Sequence, residues 1–236
     1  MADDTARRTF LKTIGAAVGA AVTPAASEQT GAAQAARPAP EPAPAAHAYT
    51  FFTAPEAAFV EAVADRFIPA DDLTPGGTDC GVARFIDAQL AGAWGGGDRM
   101  YMQGPWKQGT PSQGYQLPMT PAEFFRVGAA AVAAYCTATF HRDFDRLTVA
   151  DQIRVLQDLD QEKVMLPGVP ARQFFDFLLD LATQGFFADP AYGGNRDKVA
   201  WKMVGFPGAI AVYAEHIKNY RNKRYPGEPT SIVDLS

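Results

Sequence analysis

Two cysteines and three histidines among 236 residues leave little material for a metal or redox centre. His47, His141 and His216 do not form a His-x-x-x-His pair, and Cys80 and Cys136 do not form a Cys-x-x-Cys pair. A structural zinc site and a covalently attached haem are therefore excluded at the level of motif. A glycine-rich dinucleotide loop, a Walker loop and a Gly-x-Ser-x-Gly elbow are also missing, as are the period-2 strands that such turns need. His141-Arg142-Asp143 has the letters of a kinase catalytic loop, but it ends a predicted helix and lacks the following Asn and an upstream glycine loop. Cys136 and His141, five residues apart, diverge on a helix and make a poor nucleophile pair. No catalytic, cofactor-binding or metal-ligating residue is assigned. Positive charge is short too: the formal net charge is −5. Beyond the N-terminal region the only cationic cluster is Lys218 to Arg224, read as a solvated helix end, so a nucleic-acid partner is not expected.

The N-terminal region is informative. Ala6-Arg7-Arg8-Thr9-Phe10-Leu11-Lys12 resembles the twin-arginine export signal: Arg7, Arg8, one residue, then Phe10, Leu11, Lys12. The mild apolar run that follows, Ile14 to Val22, has the length of a signal core and falls far short of the ~20 residues of a membrane span. Ala33-Gln34-Ala35 offers a cleavage site, with Ala26 as an alternative. Residues 1–35 are thus expected to be a signal peptide. The Pro/Ala-rich stretch 36–49, with His47 at its end, is expected to be an extended linker, and residues 50–236 a single helical domain. The twin-arginine route carries folded cargo into the periplasm. There Cys80 and Cys136, on different predicted helices, form a disulfide if their Cα atoms lie within about 7 Å; the alternative is two buried small hydrophobes.

Within the domain, Thr53-Ala54-Pro55-Glu56 is a capping box that opens a helix with Phe59, Val60, Val63 and Phe67 on one face, ended by Pro69. A second helix is predicted from Asp79 to Ala91, with Val82, Phe85, Ile86 and Leu90 inward. Residues 92–119 hold seven glycines and three prolines among Trp94, Tyr101, Trp106 and Tyr115. This long loop is either a contact surface or a cover for its own domain. Thr120-Pro121-Ala122-Glu123 repeats the capping box. The helix after it is apolar on every side from Phe124 to Phe140 except at Arg126, which predicts a place in the middle of a bundle, with Gly128 to Ala134 allowing close approach. Thr148 caps a helix with the stripe Val149, Ile153, Leu156 and Leu159. Another, from Ala171, carries Phe174, Phe177, Leu178 and Leu181, and a last one is predicted from Ala209 to Asn222. The fold class is mainly α, an irregular helical bundle with long Gly/Pro/aromatic loops.

One segment departs from helical patterning: residues 188–209 read ADPAYGGNRDKVAWKMVGFPGA. Gly185, Phe186, Asp189, Pro190, Tyr192, Gly193, Gly194, Asn195, Trp201, Gly205, Phe206, Pro207 and Gly208 resemble the signature of the gluconate 2-dehydrogenase subunit 3 family. Asp65-Arg66-Phe67-Ile68-Pro69, Asp71, Gly76 and Phe85-Ile86-Asp87 are similar to that family as well. The resemblance implies the small subunit of a membrane-bound heterotrimer. Its partners would be an FAD-binding large subunit of the glucose-methanol-choline oxidoreductase type and a multihaem cytochrome c subunit. It implies FAD and haem c in those partners and no cofactor here, passage through the twin-arginine translocase, and a periplasmic location with membrane association through the complex. Tyr192, Gly193, Gly194 and Asn195 are expected to form a tight turn that presents Tyr192 and Trp201. Together with Phe206 they are the candidate partner-binding residues, the alternative being a turn that locks two helices together. Readings from other classes are a free-standing periplasmic enzyme with an unrecognised site, or a scaffold for another exported cofactor protein.

Overall fold

The structure is a computed structural model, and it describes residues 48–107, 109–110 and 116–235. The expected signal peptide and almost all of the expected linker lie outside the described residues, as does Tyr115. Seven α-helices occur among the described residues: α1 (Ala54–Phe67), α2 (Val82–Ala91), α3 (Pro121–Phe140), α4 (Val149–Asp160), α5 (Ala171–Phe187), α6 (Val199–Val204) and α7 (Ala214–Tyr220). Short 3-10 turns punctuate them at Phe144–Arg146, Pro190–Tyr192, Arg196–Lys198 and Ile232–Leu235. The mainly α class follows directly, and among the described residues pairing between extended segments is limited to one isolated bridge, Gly208 with Thr230.

The capping chemistry sets the helix starts. The Glu56 carboxylate accepts from the Thr53 N–H at 2.9 Å and from its hydroxyl at 2.6 Å. Glu123 accepts from the Thr120 N–H at 2.8 Å while the Thr120 hydroxyl oxygen takes the Glu123 N–H at 3.3 Å. α2 begins at Val82 rather than Asp79, because Gly81 takes a left-handed φ of 83°. A Cβ there would lie 2.4 Å from the Gly193 carbonyl oxygen. Cys80 accordingly sits in a turn, not on a helix.

The centre of the bundle is α5, which packs against α1, α2, α3, α4 and α6. Phe174, Phe175, Leu178, Leu181 and Ala182 are buried along it, each large side chain contributing roughly 1.5–3 kcal/mol through burial. The expected central helix, α3, is instead peripheral. Phe124, Phe125, Gly128, Ala129, Val132 and Cys136 face inward, whereas Ala130, Ala133, Ala134, Ala138 and the threonines between are exposed. Alanine carries too little surface to demand burial, so its outer face tolerates water. The close approach expected of the small residues does occur at Gly128, where a Cβ would meet the Phe174 ring at 2.1 Å.

The inward stripe of α4 is rotated from the expected one. Gln152, Val155, Leu156, Leu159 and Asp160 are buried, while Val149 is exposed and Ile153 half-buried. Two polar side chains set this register. Gln152 Nε2 donates to the Phe144 carbonyl at 3.0 Å, and Asp160 pairs with Arg172 at 3.3 Å. The last helix is only Ala214–Tyr220; Ala209, its expected start, gives its N–H to the Thr230 carbonyl at 2.6 Å. In the long loop Trp94 stacks on Phe177 at 6.1 Å, as a cover for its own domain does, while Tyr101 is exposed.

A buried carboxylate organises the start of the domain. Asp87 is 2% exposed and accepts the N–H groups of Thr50, Phe51 and Phe52 at 2.8, 2.9 and 2.9 Å. Arg126 reinforces the same segment: it pairs with Glu56, donates to the Phe51 carbonyl at 2.6 Å and lies over the Phe51 ring at 3.9 Å. Replacing Asp87 with Ala leaves three donors without acceptors, an expected loss of about 3 kcal/mol of stability. Asp87→Asn, which keeps one acceptor oxygen, is expected to lose clearly less. Urea denaturation of the two variants checks the order.

Candidate functional site

The signature segment closes the end of α5. Asp189 caps the 3-10 turn Pro190–Tyr192 by accepting the Ala191 N–H at 2.9 Å, and Gly193 follows with a φ of 95°. The next two residues are tied inward. A Cβ on Gly194 would sit 2.0 Å from the Gly185 carbonyl oxygen, so only glycine lets the turn lie directly on α5.

Asn195 is fully buried and left-handed, at φ 44° and ψ 46°. Asparagine tolerates that conformation better than most side chains. Its amide nitrogen donates to the Ala188 carbonyl at 3.0 Å, and its amide oxygen accepts the Ala200 N–H at 2.9 Å. One side chain thus joins the end of α5 to the start of α6. Arg196 N–H donates to the Cys80 carbonyl at 2.9 Å and brings the turn onto the segment before α2. Trp201 completes the closure by donating its indole N–H to the Phe187 carbonyl at 2.9 Å.

The expected tight turn at 192–195 is present, and among its candidate contact residues the structure separates two kinds. Gly193, Gly194, Asn195 and Trp201 make contacts within the chain. Trp201 is buried, not presented, because its indole fills the angle between α5 and α6 and stacks edge-on with Phe206 at 5.2 Å. Tyr192, 54% exposed, and Phe206 remain on the surface.

Cys80 and Cys136 are both free and buried. Burial pushes each thiol up to about 11, so both stay protonated and unreactive near neutral pH. Arg7, Arg8, Phe10, Leu11 and Lys12 lie outside the described residues. Among the described residues, no three His, Cys, Asp or Glu side chains converge on a common point.

The C-terminal segment also joins this site, a contact that local sequence patterns did not reveal. The two Asp189 oxygens accept the Ser231 hydroxyl at 2.6 Å and the Ile232 N–H at 2.9 Å. Lys198 Nζ donates to the Pro229 carbonyl at 2.9 Å and to Asp234 at 2.5 Å. Burial works against the charge on Asp189, but the hydrogen bonds from Ser231, Ala191 and Ile232 outweigh it and hold the carboxyl below its ordinary value. Lys198 and the Ser231 N–H do the same for Asp234.

Two outcomes follow from this geometry. Asn195→Asp puts a carboxylate oxygen against the Ala188 carbonyl, with an expected cost of about 3 kcal/mol, measurable as a lowered denaturation midpoint. The tie between Asp189 and the C-terminal segment is expected to be fully present above the unfolded aspartate value of about 4. It is lost as pH falls through the lower folded-state value, since a depressed carboxyl favours the folded form only while ionised. The protection factor of the Ile232 N–H, its exchange rate divided into the intrinsic rate at each pH, is expected to be high at pH 6 and to fall in acid. Asp189→Asn is expected to lower it at pH 6 and to remove its dependence on pH.

A comparison with curated proteins finds no match, nor does one with solved structures. A family model described as gluconate 2-dehydrogenase subunit 3 matches residues 54–208, from the start of α1 through the signature segment. Among the described residues no helix is long and apolar enough to cross a membrane. With well over half its length matched, signature segment included, the chain belongs to the gluconate 2-dehydrogenase subunit 3 family, whose description makes it one subunit of a larger dehydrogenase.

Proposed function

We propose that this chain is the non-catalytic small subunit of an FAD-dependent dehydrogenase complex of the gluconate 2-dehydrogenase type, and that it supports the maturation and export of the flavoprotein subunit. The observation that carries the reading is the pairing of two features on one polypeptide. Residues 54–208 belong to a family of dehydrogenase third subunits, and Arg7-Arg8-Thr9-Phe10-Leu11-Lys12 has the twin-arginine pattern. A route for folded cargo suits a small subunit that binds its partner before transport. In this reading the large subunit, of the glucose-methanol-choline oxidoreductase type, holds FAD and oxidises the sugar or sugar acid. A multihaem cytochrome c subunit passes the electrons to quinone and attaches the complex to the membrane on the periplasmic side. The chain itself holds neither FAD nor haem.

The signature geometry fits this division of labour. Gly193, Gly194, Asn195 and Trp201 are engaged within the fold, which leaves Tyr192 and Phe206 as its surface aromatics. Tyrosine combines a large apolar ring with a polar tip at low entropic cost, the character of residues that anchor protein interfaces.

The test is fractionation of cells that co-express the large subunit with this chain or with the Arg7→Lys, Arg8→Lys double variant. The expected outcome is flavin-loaded large subunit in the periplasm with the natural chain and its retention in the cytoplasm with the variant. Equal periplasmic flavoprotein in both, or in cells lacking the chain altogether, overturns the proposal.

A further inference from the structure

Past Gly208 the chain leaves the body of the domain and comes back to it. Ala209 N–H donates to the Thr230 carbonyl at 2.6 Å and Thr230 N–H to the Pro207 carbonyl at 3.0 Å. Gly208 permits this at a φ of 86°, where a Cβ would lie 2.1 Å from the Thr230 carbonyl oxygen. Asp189 and Lys198 then hold the returning segment. Residues 209–229 are therefore an arm closed at its base rather than a frayed terminus.

The body of the arm is poorly covered. α7 has no buried residue, and a helix of its length is far below the ~12–15 residues needed to persist alone in water. Its support is internal: the rings of His216, Tyr220 and Tyr225 meet at 5.2 to 6.0 Å. Val212 and Ile217 are 69% and 65% exposed. Beside them Lys218, Arg221 and Lys223 are exposed and make no ion pair among the described residues.

Charge distinguishes the arm from the rest of the domain. Residues 196–224 carry seven Lys and Arg against two Asp and Glu, while residues 48–195 carry ten against eighteen. Exposed aliphatics edged by unpaired cations complement a protein face that is acidic around an apolar centre. Between arm and body, a cleft of about 390 Å³ lined by Trp201, Lys202, Phe206, Arg224 and Tyr225 leaves space for a partner side chain. A lipid surface fits less well, since interfacial helices bury a broad apolar face and α7 ends after two turns, with Arg221 turning the chain away at ψ 122°.

We infer that residues 209–229 are a docking arm for the flavoprotein subunit, with Val212 and Ile217 seated on an apolar patch of that subunit and Lys218, Arg221 and Lys223 against its Asp and Glu side chains. The inference rests on the proposed function, which supplies the partner; the family match, ending at Gly208, does not reach the arm.

The test measures affinity of the full chain for the purified flavoprotein subunit, with the Lys218→Glu, Arg221→Glu, Lys223→Glu triple variant and the Ile217→Ala variant beside it. All substituted positions are exposed, and unchanged thermal melting verifies that the variants fold. The expected result is a loss of affinity of at least about tenfold in the triple variant, a smaller loss in Ile217→Ala, and weakening of the natural complex as salt rises. Hydrogen exchange over residues 210–224 is expected to slow when the complex forms. Unchanged affinity in folded variants, or exchange in the arm that is indifferent to the flavoprotein, overturns the inference while the functional reading stands. Binding of the natural chain, but not of the triple variant, to vesicles of phosphatidylglycerol and phosphatidylethanolamine together with unaltered flavoprotein affinity assigns the arm to the membrane instead. If the natural chain forms no complex with the flavoprotein, the functional reading falls and the arm's assignment with it.

Discussion

The Asn195 side chain is the point on which the arrangement of the domain's second half depends. Its amide is a donor at one end and an acceptor at the other. Both ends are used on backbone groups that have no helical partner: the carbonyl at the end of α5 and the N–H at the start of α6. A buried amide satisfied in this way is stable, whereas the same group with one end free would be a liability of a few kcal/mol. The orientation of α6 follows, and with it the place of Trp201 against Phe187. Gly194 makes the approach possible, because any side chain there would strike the Gly185 carbonyl. Asp189 and Lys198, one on each side of Asn195, then capture the C-terminal segment. A family signature of Gly, Asn, Trp and Asp is thus accounted for mainly by the internal geometry of one chain reversal.

Much of the fold was legible because its signals are local. A threonine followed three residues later by glutamate sets a helix start whatever surrounds it, and both capping boxes stand where the spacing put them. The apolar faces of α1 and α2 were equally plain, while on α5 Phe174, Leu178 and Leu181 are buried as expected but Phe177 is half-buried and Phe175 takes the inner place. The errors arise where composition and environment separate. α3 lacks charge, but its outer face is made of alanine and threonine, for which exposure is nearly free, so an absence of charge there did not mean burial. The rotation of α4 came from Gln152 and Asp160, polar residues that are buried because Phe144 and Arg172 satisfy them from elsewhere in the chain. Asp87 belongs to the same class: its three partners lie about 36 residues upstream, beyond the reach of any local pattern.

The candidate site was legible to a different degree. The chemistry of Gly and Asn at positive φ announced a tight turn, and the turn is there. Its direction was not encoded locally. An indole can anchor an interface or fill a crevice with the same side chain, and Trp201 turned inward because the Phe187 carbonyl, freed at the end of α5, needed a donor. The closure of the arm by Thr230 and Ser231 likewise joins segments about 20 to 40 residues apart. Helical periodicity from Ala209 onward overstated α7, because the Ala209 N–H is committed to the Thr230 carbonyl, a contact about 20 residues away.

A signature whose polar and small residues are engaged internally has a consequence for recognition. Residues that hold a fold together cannot also vary to suit a partner, since each change at Asn195 or Gly194 costs stability before it alters any surface. In the proposed complex, discrimination between one partner and another falls to side chains whose replacement the fold tolerates, and those are the exposed ones: Tyr192 on the turn, Phe206 beside it, and the aliphatic and basic residues of the arm. The lock then serves to present rather than to bind. By fixing Asp189 and Lys198 it holds the returning end of residues 209–229, while the pairing of Ala209 with Thr230 closes the base. In the proposed complex a loop held in this way loses less entropy on docking than a free terminus would. The same rigidity that makes the signature recognisable makes the variable surface beside it usable.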